Sequence, residues 1–360
     1  VAPTVFFEQP AHVLVTWEAV RETLRDDDHV PGAPTYELST RPTLGHTFID
    51  ASGDEHRRLR KLTTPAFRSR SIERFDADQL VRLGHEIVDR FADRGEGDLV
   101  TEFTTVMPYL AIARKLGLPE SREEDTRRWA RGLLSGAFDE EAAATAAAEF
   151  NAHLGDVLAA RRTGPADDVL SAMAAIRDED GTPLTDDEIL SHVRLLFAVG
   201  ASTTAHGMAS LLSLLLRRPD MLDRALADPD WRDGVVEEAL RFEPPVSILP
   251  RVLLGPTTVF GHDLPANSFL LVGIAGANRD PAAMEDPDTF DPDRPAVDVL
   301  TFGSGSKFCA GAHLARRELR VALDVLLDRL PGLRLTSTDG IEPAGGPLRS
   351  PVALPAGWDA

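Results

Sequence analysis

The chain has 360 residues, with 38 Lys plus Arg against 58 Asp plus Glu, giving a formal charge of −20. That balance argues against a nucleic-acid binder, whose footprint is a basic field. The single cysteine excludes an internal disulfide, an all-cysteine zinc site and an iron–sulfur cluster, each of which needs several thiolates.

The N-terminus, VAPTVFFEQP, lacks the basic-then-apolar layout of a signal peptide. No run of roughly 18 consecutive apolar residues is read, so no membrane span is expected. Low cysteine usage fits a reducing cytoplasm. TVFFEQ and HVLVT predict a small hairpin around Pro10, followed by a helix over Trp17–Arg25. Residues 26–54 are rich in Pro, Gly, Asp and Thr and read as a long loop, a length that is usually functional or disordered.

From Glu55 to Leu240 helical patterning dominates, with helices expected over 55–63, 71–93, 99–117, 122–136, 139–162, 166–177, 186–217, 219–227 and 231–242. The 186–217 segment is apolar on most faces and is expected to cross the core. After Pro244, PRVLL, TTVFG and FLLVG read as short strands. A polar, proline-rich meander, DPDTFDPDRP, precedes a helix over about 310–330, and the tail reads as loop with a last hairpin. The expected fold class is mainly α with small β-sheets, in one large domain spanning 1–360.

The lone cysteine sits in FGSGSKFCAG, between Phe302 and Gly311. On residue type alone it is a buried inert thiol, a nucleophile or a single thiolate ligand. Gly303, Gly305 and Gly311 let the backbone turn tightly and approach a flat ligand. The N-terminus of the following helix stabilises a thiolate at Cys309. A thiolate with amide donors and aromatic Phe302 and Phe308 beside it suits a soft ligand to haem iron. Lys307 is placed to pair with an anionic group at the haem edge.

This FxxGxxxCxG pattern resembles that of the cytochrome P-450 family, bacterial and soluble in type, and the resemblance runs from about Thr4 to the C-terminus. It implies haem b (iron protoporphyrin IX) with Cys309 as the axial thiolate. The remaining motifs follow in family order. Glu238-Ala-Leu-Arg241 puts two opposite charges on one helix face, and Arg294 of FDPDR is the implied third member of that structural cluster. Arg251 opens a strand after PPVSILP and is implied to reach a haem propionate. His56 and Arg60, at i,i+4, match an HxxxR pattern with the same implied role. Together with Lys307 they supply donors for two carboxylates.

Thr, Ser and Gly inside an apolar helix can bend it by bonding back to carbonyls. The run Ala198-Val-Gly-Ala-Ser202-Thr203-Thr204 is such a patch. The resemblance makes it the oxygen-activating segment, with Thr203 holding activated dioxygen and helping to deliver protons. Ser202 stands where the family usually has an acid, and serine cannot donate a proton as a carboxylic acid does. Proton delivery is then expected to use a water chain, a substrate group or another side chain.

Leu195, Ala198 and Val199 lie on or beside the Thr203 face. With Val246, Ile248 and Leu249, and with Leu44 and Phe48 as roof, they are expected to line an apolar substrate pocket. Arg57, Arg58, Lys61, Arg68 and Arg70, with Arg316 and Arg317, form a basic cluster in an acidic chain. Such a patch would steer an acidic ferredoxin or flavodoxin, itself served by a reductase. No GxGxxG follows a predicted strand, so electrons are expected from separate proteins.

The expected protein is therefore a cytoplasmic monomer acting on a small molecule and O2, with no nucleic-acid or membrane partner. It would catalyse hydroxylation, epoxidation or O-dealkylation of a largely apolar substrate. A peroxide-driven haem-thiolate enzyme and a non-catalytic haem or ligand-binding protein are the alternatives. Relative to the family the chain reads as short at the front, as truncation would leave it.

Overall fold

The computed structural model describes all residues except 7, 76–78, 120–122 and 134–138. Part of the helix expected over 71–93 and both ends of the one expected over 122–136 fall outside the described residues.

The organising element is the 31-residue helix Asp186–Leu216. Its start is fixed by a capping box: the Thr185 hydroxyl accepts from the Glu188 amide and the Glu188 carboxylate accepts from the Thr185 amide. Three acidic residues in its first turn suit the positive end of the helix dipole. By length and composition this helix is apolar enough to cross a membrane, contrary to the expectation that no such stretch exists. Its apolar window is 78% buried inside the fold, so it serves as the core helix. Around it pack Met107–Leu116, Glu123–Leu133, Arg232–Phe242 and Ala312–Arg329. They share one extended hydrophobic core that includes Phe103, Phe150, Phe197, Leu211, Leu323 and Trp358.

The N-terminal hairpin forms as expected, Ala2–Phe6 antiparallel to Gln9–Leu14. Its second strand then runs parallel to Ser268–Gly273, which pairs antiparallel with Ile248–Leu253. This four-stranded sheet covers a second, smaller core containing Leu14, Val20, Leu253 and Leu270.

Three expectations are corrected. The loop 26–54 contains two short helices, Ala33–Ser39 and Arg41–Leu44, each opened by a proline in its first turn, where a missing N–H costs nothing. The helix over 99–117 is broken into a π-turn, Val100–Thr104, and a helix from Met107 carrying Pro108 in its first turn. The tail forms its expected hairpin, Ala344–Gly345 with Arg349–Ser350, but also contributes Arg334–Leu335 and Pro355–Gly357 to a three-stranded sheet with Glu96–Asp98. Strands of two or three residues are too short to show an alternating pattern.

Candidate functional site

The cysteine loop is built by glycine. Gly303 and Gly305 both have φ of 74°, in the left-handed region. A Cβ on Gly305 would also lie 3.1 Å from Leu24 O and Arg25 Cα, so this position admits no side chain without a shift. The turn closes with the Cys309 amide donating to Phe302 O at 2.9 Å. Phe302 packs against the main core, with the Arg316 guanidinium 4.3 Å from its ring centroid. The helix Ala312–Arg329 then starts from Gly311.

Cys309 is enclosed by protein yet open to the cleft it lines with His56, Arg60, Arg68, Phe308 and His313, about 540 Å3 in volume. Burial raises its thiol pKa, while the Gly311 amide and then the Arg60 and Arg316 charges pull it down. The sulfur is thus desolvated and supplied with one N–H and two nearby cations. Among the described residues, no group of three or more His, Cys, Asp or Glu could hold a metal, so only a cofactor-borne metal suits this single sulfur.

The imidazole of His56 and three cationic side chains, Arg60, Arg251 and Lys307, interact around it. His56 and Arg251 are buried, and His56 Nε2 and Arg251 Nε have no hydrogen-bond partner. Burial, then the charges of Lys307 and Arg60, push His56 down to about 4. Arg60 donates to Phe308 O, and burial lowers its pKa. Lys307 Nζ donates to the carbonyls of Phe48, Ile49 and Ala51 at 2.9, 3.1 and 2.6 Å. Burial brings it down to about 8, against the opposing pull of Asp27 and Asp50. Lys307, expected to face an anion, here clamps the loop that leads to the His56 helix, Gly53–Thr63. An unpaired buried nitrogen costs roughly 1–3 kcal/mol, so two of them beside further cations mark a place for a carboxylate-bearing ligand.

On the long helix the sites around Thr203 are sorted by burial. Ala198, Ala201 and Ser202 are buried, as are Thr204 and Ala205. Val199 is 37% exposed, and Gly200, Thr203 and His206 are partly open. Positions 199, 200, 203 and 206 fall on one helix face, which is its less buried side. Thr203 Oγ1 donates back to Val199 O at 2.9 Å, which leaves its lone pairs to accept from the open side. Leu195 and Ala198, expected at the pocket, are buried among the main-core residues, and Ser202, expected in the oxygen-activating segment, is buried as well.

Val246 and Ile248 are half-buried, and Val246 bridges to Leu348, a contact the sequence reading missed. Leu249 packs on the smaller core rather than with them, since adjacent strand residues face opposite sides. Leu44 and Phe48 are buried and pinned to the long helix. Arg194 Nε donates to Leu44 O at 2.9 Å, and His192 Nε2 accepts from the Phe48 amide at 3.0 Å. The Phe48 ring also stacks on His192 at 5.5 Å between centroids. His192 and Arg194 were missed, although polar residues inside an apolar helix were the available signal.

Glu238, Arg241 and Arg294 meet in the structure. Arg241 makes a bidentate pair with Glu238, both contacts 2.7 Å, and both residues are buried. Arg294 Nε lies 3.4 Å from Glu238 Oε1, which also accepts from the Asp291 amide. The remaining Arg241 donors reach Asn278 O, Pro287 O and Thr289 O. This network ties the meander to the helix Arg232–Phe242.

The basic cluster is less free than its sequence suggests. Arg57 pairs with Asp54, Arg58 with Asp178 and Glu188, Lys61 with Glu179, and Arg316 with Glu237. Arg68, Arg70 and Arg317 are exposed, and Arg68 borders the Cys309 cleft.

The Cytochrome P450 family profile matches residues 232–332. A "Mycinamicin IV hydroxylase/epoxidase" from Micromonospora griseorubida is 34% identical, over 98% of this chain and 90% of its own. A "Vitamin D(3) 25-hydroxylase" from Pseudonocardia autotrophica is 34% identical over 88% and 76%. The structure of the myxobacterial cytochrome P450 CYP267B1 with myristic acid superposes with a TM-score of 0.90 at 32% identity, covering 99% and 93%. The family's cofactor is haem b, and the donor set fits it: one thiol for iron, and the unpaired nitrogens of buried His56 and Arg251 for propionates. A fold matched over nearly its whole length, and relatives of this identity and coverage, mean that the chain belongs to the cytochrome P450 family, as a haem-dependent monooxygenase that inserts one oxygen atom from O2 into a small organic substrate.

Proposed function

We propose that the substrate is a mainly apolar small molecule of macrocyclic, sterol-like or long-chain character. The relatives' named substrates motivate that class. The less buried stripe of Val199, Gly200 and Thr203, and the half-buried Val246 and Ile248, support it with apolar side chains and one hydroxyl. Haem, when bound, supplies the activation of dioxygen. Cys309 would hold its iron through its sulfur, whose thiolate form the Gly311 amide, Arg60 and Arg316 favour against the opposing effect of burial. His56, Arg60 and Arg251 would take the propionates, with Lys307 joining if its carbonyl contacts open. Thr203 would orient a water by accepting its hydrogen bond. The clamped roof of Leu44 and Phe48 would exclude bulk water above the site.

Family members use small-molecule substrates, O2 and redox partners such as ferredoxin. In this protein Arg68 and Arg317, with the partly neutralised Arg57, Arg58 and Lys61, would form the docking patch. A single-domain monomer working in the cytoplasm completes the reading.

The observation that carries the proposal is the Cys309 thiol lining a cleft with His56 and Arg60, together with unpaired nitrogens on the buried His56 and Arg251. It is tested by haem reconstitution and visible absorption, titrating macrolide, sterol and fatty-acid panels. A haem-thiolate band that moves from low to high spin with one class, and is absent in Cys309→Ser, is the expected result. A band unchanged by Cys309→Ser would overturn the assignment of the ligand. A spin shift only with small, strongly polar compounds would overturn the substrate class.

A further inference from the structure

The open stripe of the long helix carries a second polar group that the foregoing roles do not use. His206 stands one turn after Thr203 on the same face and is partly open, while Thr204, Ala205 and Gly207 around it are buried. This turn packs beside the cysteine helix: a Cβ on Gly207 would lie 3.8 Å from Leu319 Cδ2 and 3.7 Å from Pro245 Cγ. His206 Nδ1 is 2.7 Å from the carbonyl oxygen of Ser202. A carbonyl only accepts, so Nδ1 carries the hydrogen and the neutral ring presents the Nε2 lone pair. Among the described residues no group bonds Nε2. The anchor at Ser202 O draws the ring back toward the Thr203 turn.

Residue 202 therefore contributes its carbonyl, while its short hydroxyl side chain is buried and is not an acid. We propose that His206 is the proton-handling residue of this site, doing from one turn further on what a carboxylic acid at position 202 would do. Nε2 accepts a proton from a water in contact with solvent. It then gives that proton to a water whose hydrogen Thr203 Oγ1 accepts, and the ring returns to its neutral form. One proton enters and one leaves in each passage, and no electrons pass through the ring. Thr203 fits the receiving role because its own hydrogen is committed to Val199 O.

The inference rests on the monooxygenase reading, and the experiment separates the two. His206→Asn and the double variant Ser202→Asp/His206→Asn are compared with the parent as haem-loaded proteins, using a substrate found by spin-shift titration. In His206→Asn the haem-thiolate band and the spin-shift affinity are expected to stay within about twofold of the parent. Its product rate falls about a hundredfold, the reducing equivalents appear as hydrogen peroxide, and the solvent deuterium isotope effect rises. The double variant recovers at least about tenfold of that loss. Independently, 15N spectra of the histidine rings in the haem-free parent show His206 protonated at Nδ1. Unchanged coupling and isotope effect in His206→Asn would overturn the inference while leaving the monooxygenase reading intact. So would a weakened spin-shift affinity with coupling unchanged, which would make His206 a substrate contact, or a ring protonated at Nε2. A parent with no haem-thiolate band would overturn both.

Discussion

At His56 the stability of the empty protein and the holding of the cofactor pull in opposite directions. His56 Nε2 is buried without a partner, and burial with two neighbouring cations keeps the ring neutral, with a pKa of about 4. The haem-free fold therefore carries an unpaired polar atom that a carboxylate would satisfy. His56→Phe should then stabilise the haem-free protein by about 1 kcal/mol, since it removes a buried unpaired group. The same change should speed haem transfer to a competing apoprotein by roughly tenfold, since a charge-assisted hydrogen bond is lost. Denaturant unfolding of the haem-free protein and transfer kinetics of the loaded one read the two signs. A variant destabilised in both states would show that His56 is only a packing residue. Cys309 and the pair His56 and Arg60 could be read from short patterns of fixed spacing, and Arg251 from its place after PPVSILP. The displacement of Lys307 onto three carbonyls was not legible, because those carbonyls belong to a loop more than 250 residues away.

At the scale of elements, the long helix and the roof segment are joined by polar contacts that hydrophobic periodicity does not reveal. The helix was legible from its apolar run and its length. Which face would open was not, because that depends on the helices packed against the other faces. Leu195 and Ala198, expected at the pocket, are buried among the main-core residues. The roof latch depends on a neutral His192, whose Nδ1 bonds Glu188 O at 2.6 Å and whose Nε2 accepts from the Phe48 amide. Burial lowers the His192 pKa to about 4, with the Glu188 carbonyl opposing. The unfolded chain, with an ordinary histidine value near 6.5, binds more protons between these limits. This contribution to stability is thus complete above about pH 6.5, is lost progressively as the pH falls, and is gone below about pH 4. It amounts to roughly 3 kcal/mol. Protonation also turns Nε2 from acceptor to donor and expels the Phe48 amide. Denaturant titrations from pH 7 to 4 should show the haem-free parent losing about 3 kcal/mol more than His192→Asn over that range. Parallel curves for the two proteins would rule out the latch as the acid-sensitive element.

Across the whole molecule the charge of −20 sets a field that repels any acidic electron donor, and only a local patch can reverse it. The paired state of Arg57, Arg58, Lys61 and Arg316 makes that patch smaller than the run of basic residues in the sequence. The ion-pairing carboxylates come from distant segments, which is why the sequence alone overstated it. Exposed Arg68 borders the Cys309 cleft, and Arg317 lies on the helix that follows the cysteine. Screening acts over about 10 Å at 0.1 M salt, so the patch and the global field respond to salt in opposite senses. In the parent the nearby patch dominates, and reduction by an acidic ferredoxin should slow as salt rises. In Arg68→Glu/Arg317→Glu the patch becomes repulsive and joins the global field. Reduction at low salt should then be about tenfold slower and should quicken as salt is added, while the substrate-induced spin shift keeps the parent's affinity. Stopped-flow reduction over a salt series measures both slopes. If the double variant slows with salt as the parent does, the donor docks elsewhere, and a different face of this acidic surface must carry the electron entry.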